Sequence, residues 1–292
     1  MNVYTERLKL ITRSPFWAIL PDAFAHLAAR LFEGAPMMAE RGTTKPTLPG
    51  RVPSKLAVIP IRGVLTKDGP EWLGSNYDSI ADAAEKAAAD PSVKHIVLSV
   101  DSPGGEVVGL PETAAVLAQL AKVKPVSAMV EGLSASAAYW LTSQANEIAV
   151  TPSGELGSVG VKMMHMDISK MLEDQGVKVT ELYSGDFKTE WSPFAPVKAE
   201  AVAYMQSRLT TVHKNFIGAV ASGRGNRATK GIQAALFGGG RMFSAIDAMG
   251  HGLADTVQSP REFYRAVAAA DEESKPSTNL WRARLALEHS KF

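Results

Sequence analysis

The chain has 292 residues, which fits one large domain or two small ones. Hydrophobic residues make up 46% and charged residues 21%, an ordinary globular composition that excludes wholesale disorder. The formal net charge of +1 gives no support to dedicated nucleic-acid binding, and the absence of cysteine excludes disulfide scaffolds, thiolate zinc sites and a cysteine nucleophile.

The N-terminal residues predict neither an export signal nor a membrane span. Four charged residues between positions 6 and 13 stand where a secretory signal needs an apolar run, and Pro15 and Pro21 bracket the best hydrophobic segment. No stretch approaches the roughly 18 uninterrupted apolar residues that cross a bilayer. We therefore expect a protein of the cytoplasm with no membrane partner.

The chain divides into a central body with an extension at each end. A short helix is predicted at about 19–33, and residues 34–55 read as a linker because they hold four prolines and three glycines without an apolar period. Residues 259–292 read as a C-terminal tail with a short helix at 279–289. We expect an N-terminal arm at 1–55, a domain at 56–258 and this tail.

Short apolar runs alternate with helical segments through the body. This order predicts right-handed βαβ crossovers and an α/β fold with a mostly parallel sheet. The predicted strands lie at 56–63, 95–100, 125–130, 147–151 and 177–183. The predicted helices lie at 79–90, 111–122, from about 134, at 167–175 and at about 197–221, and a last ordered unit lies at 243–257.

Two predicted strand-to-helix junctions have the residues for chemistry, because reactive groups of open α/β sheets collect at such junctions. Asp101–Gly105 ends in paired glycines, which allow positive φ and can turn N–H groups toward a ligand. Ser136 stands among small residues at a predicted helix N-terminus, where N–H groups and the helix dipole favour an oxyanion. A tight turn and a helix-capping serine explain the same residues without chemistry.

A serine nucleophile needs a base, and two residues are candidates. Of the six histidines, only His165 is a serious contender, 29 residues after Ser136 and beside Asp167. Lys188 follows a predicted strand and offers the serine–lysine solution to acyl transfer. A lysine base must be uncharged, so Lys188 would have to be shielded from water near the serine. The residues alone leave both open.

Six segments together resemble the signal peptide peptidase A (SppA) family of serine peptidases, and most closely its phage branch, the prohead or capsid-assembly proteases. The resemblance runs through about 56–258. It rests on LAVIPIRGVLT (56–66), DPSVKHIVLSVDSPGGEVVG (90–109), KPVSAMVEGLSASAAYW (124–140), GELGSVGV (154–161), GVKVTELYSGDFK (176–188) and AMGHGLAD (248–255). It implies a Clp protease/crotonase-like fold of repeated ββα units and a homo-oligomer.

The resemblance also implies a role for each matching residue. Ser136 matches the family's nucleophile and Lys188 its general base, while Ser158 matches the serine that hydrogen-bonds and orients the lysine. The N–H groups of Ala137 and of the Gly104–Gly105 turn match the oxyanion hole. No metal, nucleotide or organic cofactor is indicated.

The resulting hypothesis is a Ser–Lys endopeptidase of phage head assembly, which cleaves scaffold, capsid or portal-associated polypeptides in the host cytoplasm. Three alternatives stay open: an SppA-like peptidase that degrades signal or other peptides, a crotonase-type acyl-CoA enzyme, and an inactive assembly scaffold. A crotonase-type enzyme needs neither Ser136 nor Lys188. A scaffold has no use for Ser136, Ser158 and Lys188 as a set.

Overall fold

The structure is a computed structural model that describes residues 16–32, 55–70, 73–229 and 239–273. In chain order its elements are β1 (Trp17–Ile19), α1 (Pro21–Phe32), β2 (Leu56–Leu65), α2 (Tyr77–Ala89), β3 (His95–Glu106), α3 (Leu110–Leu120), β4 (Val126–Ala135), α4 (Ala137–Thr142), β5 (Glu147–Val150), β6 (Glu155–Gly157), α5 (Ser169–Asp174), α6 (Ala199–Arg224), α7 (Asn226–Thr229), β7 (Met242–Ser244), α8 (Ala245–Gly250), β8 (Thr256–Val257) and α9 (Pro260–Glu273). Of the helices in these ranges, even the 26-residue α6 lacks an apolar stretch of membrane-spanning length.

Parallel strands form the centre of the fold. β2, β3, β4, β5 and β8 lie side by side in that order, and α2 and α3 connect parallel neighbours as crossovers. Both faces of β3 are buried: Ile96 and Leu98 belong to the main core cluster, whereas Val97 belongs to a second cluster that includes residues of α9. The predicted α/β class with a mostly parallel sheet is confirmed.

The long strands bend where their pairing register shifts. β2 and β3 shift between Arg62 and Val64, and β3 and β4 shift between Val100 and Ser102. β4 pairs with β5 before its bend and with β6 after it. Two strand segments followed by a helix therefore recur at β2–α2, β3–α3 and β4–α4, which is the predicted ββα repeat.

Several element bounds differ from the prediction. Asp101–Gly105, expected to be a strand-to-helix turn, lies inside β3, and α3 begins only at Leu110. α4 begins at Ala137 because residues 133–135 continue β4 by pairing with β6. The strand predicted at 177–183 is wrong, since these residues form no strand in the described part of the chain.

Both ends of the described chain pack onto the central body. At the N-terminal end, one apolar cluster holds Trp17, Ile19, Phe24 and Leu27, packed with Ala23, Val64 and Leu73. At the other end, Phe263, Tyr264 and Val267 of α9 form a cluster with Leu56, Val97, Met129 and Ala149. In the described residues, the segments before the predicted boundary near 55 and after the one near 258 therefore contact the strands of the predicted 56–258 domain. The helix predicted at 279–289 lies outside the described residues.

Truncation of Phe263 tests whether α9 is part of the domain. The side chain is 1% exposed and lies in one cluster with Val97 and Met129 of the central strands. Because a buried cavity adds to the lost transfer free energy, Phe263→Ala is expected to lower the free energy of unfolding by about 3–5 kcal/mol. The free energy of unfolding is measured by urea denaturation, and Arg261→Ala, at an exposed position of the same helix, is the control. A loss below about 1 kcal/mol would make α9 a detachable tail.

Candidate active site

Ser136 occupies a strained position between β4 and α4. Its φ of 56° and ψ of −118° lie where residues other than glycine are rare, at a cost of about 1–3 kcal/mol. Its N–H donates to the carbonyl of Gly157 at 2.8 Å, and its Oγ donates to the carbonyl of Gly160 at 3.3 Å. A serine on a sharp, strained strand-to-helix turn is the arrangement that presents the nucleophile in many hydrolases.

Gly104 of β3 lies directly against this serine. Its φ is +100°, and a Cβ on Gly104 would stand 3.0 Å from the Cβ of Ser136 and 2.9 Å from the carbonyl oxygen of Ala135. The adjacent Gly105 is equally crowded, since its Cβ would lie 1.9 Å from the carbonyl oxygen of Leu65. Glycine is therefore required at both positions for the backbone of β3 to approach the site.

Two of the residues predicted to supply oxyanion donors, Gly104 and Ala137, lie next to Ser136. Ala137 is the first residue of α4, so its N–H has no acceptor within the helix. Gly104 reaches the serine from the neighbouring strand, and its N–H donates to the Oγ of Ser102 at 3.2 Å. Backbone N–H groups beside a nucleophile are the elements of an oxyanion hole, and the Gly104 N–H would have to exchange its Ser102 acceptor for the oxyanion to act in one.

Ser158 reaches the same place from β6. β6 runs parallel to β4, and Gly157 pairs with Ala135. Ser158 follows Gly157 and Ser136 follows Ala135, so the two serines leave adjacent strands at the same level. Ser158 is 6% exposed, has a φ of +53°, and its N–H donates to the carbonyl of Arg241 at 2.7 Å. Ser136 and Ser158 are the two non-glycine residues with positive φ in the described ranges, and they are neighbours.

Lys188 is not brought to this cluster within the single chain. It lies in an exposed turn, and its ammonium has no hydrogen bond or ion pair with Ser136, Ser158 or any other described residue. The residues before it carry large apolar side chains in the open: Leu182 is 94% exposed, Tyr183 61% and Phe187 66%. The shielding expected of a lysine base is absent from this part of the described chain.

His165 is engaged elsewhere. Its Nε2 lies 2.9 Å from the carbonyl oxygen of Ser192, and its ring meets Trp191 edge-on at 5.2 Å. The neighbouring Asp167 accepts hydrogen bonds from Ser169, which hold the pKa of its carboxyl below the usual range. Asp167 thus faces Ser169, so no Ser–His–Asp relay connects to Ser136 among the described residues.

Sequence reasoning missed β1 and Lys162 beside the site. The N–H of Lys162 donates to the Trp17 carbonyl at 2.8 Å and its carbonyl accepts from the Trp17 N–H at 2.9 Å, while its Nζ lies 4.2 Å from the centre of the Phe24 ring. Partial burial lowers the pKa of Lys162. The sequence feature that could indicate β1 is the apolar segment between Pro15 and Pro21, which the sequence analysis considers as a possible export signal and not as a strand.

Comparison with known proteins identifies the family. The model of Peptidase family S49 matches residues 118–275, more than half of the chain, and the match contains Ser136, Ser158 and Lys188. The chain belongs to peptidase family S49. This membership agrees with the resemblance that the six sequence segments carry.

Two curated relatives are about one-third identical to the chain over the aligned residues. It is 32% identical to capsid assembly protease C of Escherichia phage lambda, over 71% of this chain and 47% of that protein. It is 32% identical to head-tail preconnector protein GP5 of Enterobacteria phage P21, over 82% of this chain and 49% of that one. The chain thus spans about half the length of these two relatives.

Solved structures give a weaker likeness. The chain is similar to an enoyl-CoA hydratase/isomerase family protein from Silicibacter pomeroyi at 13% identity, with a TM-score of 0.45 over 75% of this chain and 78% of that one. A second member of that family has 16% identity and a TM-score of 0.46, over 76% of this chain and 73% of the other.

Proposed function

We propose that this chain is a serine endopeptidase that uses Ser136 and Lys188, and that it cleaves scaffold or capsid-associated proteins inside the assembling phage head in the host cytoplasm. Membership of family S49 supports the peptidase activity, and the relatives with head-assembly names support the biological setting. The observation that carries the proposal is the strained Ser136 with Gly104 packed against it.

The first half of the reaction forms an acyl-enzyme. Neutral Lys188 takes the proton from the Oγ of Ser136 as that oxygen attacks the scissile carbonyl carbon. The tetrahedral oxyanion accepts hydrogen bonds from the N–H groups of Ala137 and the Gly104–Gly105 segment, and each donor contributes roughly 3–4 kcal/mol. Lys188 then protonates the leaving amine, the C–N bond breaks, and an ester on Ser136 remains.

Hydrolysis of the ester restores the enzyme. Lys188 takes a proton from water, the hydroxide attacks the ester carbonyl, and the oxyanion returns to the same donors. The C–O bond to Ser136 breaks, the serine oxygen regains its proton from Lys188, and the carboxylic acid product leaves. Ser158 lies beside Ser136, because the residues that precede them, Gly157 and Ala135, are paired. From this position Ser158 is suited to hydrogen-bond the lysine that approaches Ser136 and to orient it.

The lysine base is completed by association with a second copy of the chain. Lys188 stands in solvent in the single chain and follows a segment whose apolar side chains are exposed. A contiguous exposed apolar segment of this kind marks an interaction surface. A homo-oligomer that covers residues 177–187 would desolvate Lys188, and desolvation is what an amine base requires.

One observation favours an inactive assembly scaffold as the second candidate. Lys188 makes no contact with Ser136 among the described residues of one chain, and a fold retained only for oligomerisation needs no such contact. The two candidates differ in what happens to a susceptible polypeptide, since only the peptidase cleaves it.

Comparison of two base variants tests the proposed function. Lys188→Ala is expected to abolish cleavage of a scaffold protein, with a loss of at least about 10⁴-fold, because the nucleophile loses its proton acceptor. His165→Ala is the matched control and is expected to change the rate less than about threefold, because His165 bonds the Ser192 carbonyl. Cleavage is followed by gel electrophoresis at equal concentrations. The reverse ranking would indicate a Ser–His enzyme, and no cleavage by the unaltered chain would favour the scaffold.

A further inference from the structure

β1 fills a gap between two backbone edges beside Ser136. β4 follows β3 only as far as the pair Ser102 and Ser134, and beyond it the edge of β3 at Gly104–Glu106 is taken by β1 in antiparallel register. The other edge of β1 pairs with Lys162, since the Trp17 and Lys162 backbones exchange two hydrogen bonds. β1 is thus a three-residue strand with both edges in use.

The same gap is where a peptide must lie to be cut at Ser136. An extended substrate pairs with exposed strand edges near the nucleophile. The edges nearest Ser136 are Gly104–Glu106, which lies against its Cβ, and the segment from Gly160 to Lys162, whose first carbonyl accepts from its Oγ. Both edges are occupied, so no second strand fits beside β1.

The backbone of β1 also reaches the reacting centre. The carbonyl oxygen of Ala18 lies 2.2 Å from the point where a Cβ on Gly104 would stand, and the Cβ of Ser136 lies 3.0 Å from that same point. Ala18 is fully buried, and its apolar neighbours Trp17 and Ile19 are 3% and 4% exposed. A peptide carbonyl of this chain therefore lies beside the nucleophile and the candidate oxyanion donor.

We infer that residues 16–20 are an internal pseudosubstrate that occupies the substrate groove, and that this strand must leave before a polypeptide can be cleaved. This inference rests on the proposed function. It also gives the chemical class of the substrate segment, which is an extended apolar stretch with a small residue at the position that Ala18 takes.

Side-chain contacts hold the strand in place at its two ends. The Lys162 ammonium lies over the Phe24 ring of α1, and Arg208 of α6 lies 4.8 Å from the ring centre of Phe16. Trp17 meets Phe24 edge-on at 5.3 Å. These contacts add to the burial of Trp17 and Ile19 and to the backbone pairing on both edges, so a competing substrate has to replace that pairing in the same groove.

A reversible cross-link tests the inference in the full chain. Trp17 stands opposite Glu106 in β3. The hydrogen bonds Val107 N–H to Phe16 and Leu20 N–H to Pro103 make this a non-hydrogen-bonded pair, the closer type, which a disulfide can span. Because the chain has no cysteine, the W17C/E106C double variant contains the only two thiols. Oxidation is expected to reduce cleavage of an extended peptide at least tenfold, and reduction to restore it.

Two controls separate failure of the inference from failure of the proposed function. The single variants W17C and E106C cannot cross-link within the chain, so oxidation is expected to leave their cleavage rates unchanged. A fluorophosphonate probe that labels Ser136 in the reduced double variant reports the nucleophile without a peptide. Equal cleavage before and after complete cross-linking overturns the inference alone, whereas no labelling and no cleavage in the unaltered chain overturn the proposed function.

A peptide added in trans gives a second measurement that needs no cross-link. A synthetic peptide with the sequence of residues 14–22 is expected to inhibit the unaltered chain competitively, which raises KM and leaves kcat unchanged. A scrambled peptide of the same composition is the matched control. Equal effects of the two peptides, or no effect of either, would mean that the groove does not recognise this sequence.

Discussion

Replacement of Ser136 by alanine is expected to lower peptide hydrolysis by roughly 10⁴–10⁶-fold, the loss that follows removal of the nucleophile in serine peptidases. The fold should persist, because the N–H bond to Gly157 and the backbone turn do not involve the hydroxyl. Circular dichroism and the cleavage rate are measured on the same sample. Ser143→Ala, at the other end of α4, is the matched control and should remain active, because the lost hydroxyl donates to the Trp140 carbonyl and accepts from Gln144 Nε2.

The same variant shows which chain supplies the lysine. Ser136→Ala retains Lys188, and Lys188→Ala retains Ser136, so each is inactive alone. If two copies build one site, an equimolar mixture that exchanges subunits is expected to regain up to about a quarter of the unaltered activity, since random pairing of two chains restores one intact site in four. Full inactivity of an exchanged mixture would place serine and lysine of one site in the same chain.

The order of elements from 56 to 151 is predictable because the local signals are short and agree. Each apolar run ends at a glycine, a proline or polar residues, and each helix between them has a stop such as Pro91. The ends of the strands are less predictable. Asp101–Gly105 looks like a turn, but bending of the sheet lets β3 continue through it, and only tertiary pairing with β1 and β2 reveals this.

The helix α9 is absent from the prediction although its signals are in the sequence. Pro260 suggests the end of the ordered chain, but proline is also favoured in the first turn of a helix, and Pro260 is the first residue of α9. Phe263, Tyr264 and Val267 lie on one helical face and are buried against the sheet. Spacing alone therefore predicts the helix, while its docking depends on the apolar face of β2 to β5.

The strand predicted at 177–183 is wrong for the opposite reason. Val177 and Val179 alternate with polar residues, which is the pattern of a half-buried strand. A strand forms only with a partner, and no edge in the described part of the chain pairs with these residues, so Val177 remains 48% exposed. A local pattern cannot tell whether its partner lies in the same chain.

The sequence predicts which residues could form the site, but it does not predict how all of them are placed relative to one another. Ser136 and Ser158 converge because the parallel strands β4 and β6 end side by side, and Gly104 joins them because β3 runs next to β4. Lys188 comes from a loop, where no periodicity sets the position of the side chain. The occupancy of the groove by β1 is unpredictable, because the apolar segment between Pro15 and Pro21 does not indicate which strand edge it pairs with.

Substitution of Gly104 by alanine is expected to damage both stability and activity. A Cβ there would stand 2.2 Å from the Ala18 carbonyl oxygen and 2.9 Å from that of Ala135, and a φ of +100° disfavours any side chain. Strain and displaced backbone should lower the free energy of unfolding by about 2–4 kcal/mol. Because the Gly104 N–H is the candidate oxyanion donor, cleavage by the folded fraction should fall about 10²–10³-fold.

A second glycine provides the matched control for this prediction. Gly218 lies on the exposed side of α6, and a Cβ added to it would have no atom within 4 Å. Gly218→Ala is therefore expected to raise the free energy of unfolding by about 0.5–1 kcal/mol and to leave cleavage unchanged. Thermal unfolding and kcat, corrected for the folded fraction, distinguish the two variants. If Gly104→Ala behaves like Gly218→Ala, then β3 does not press against Ser136, and the oxyanion donors lie elsewhere.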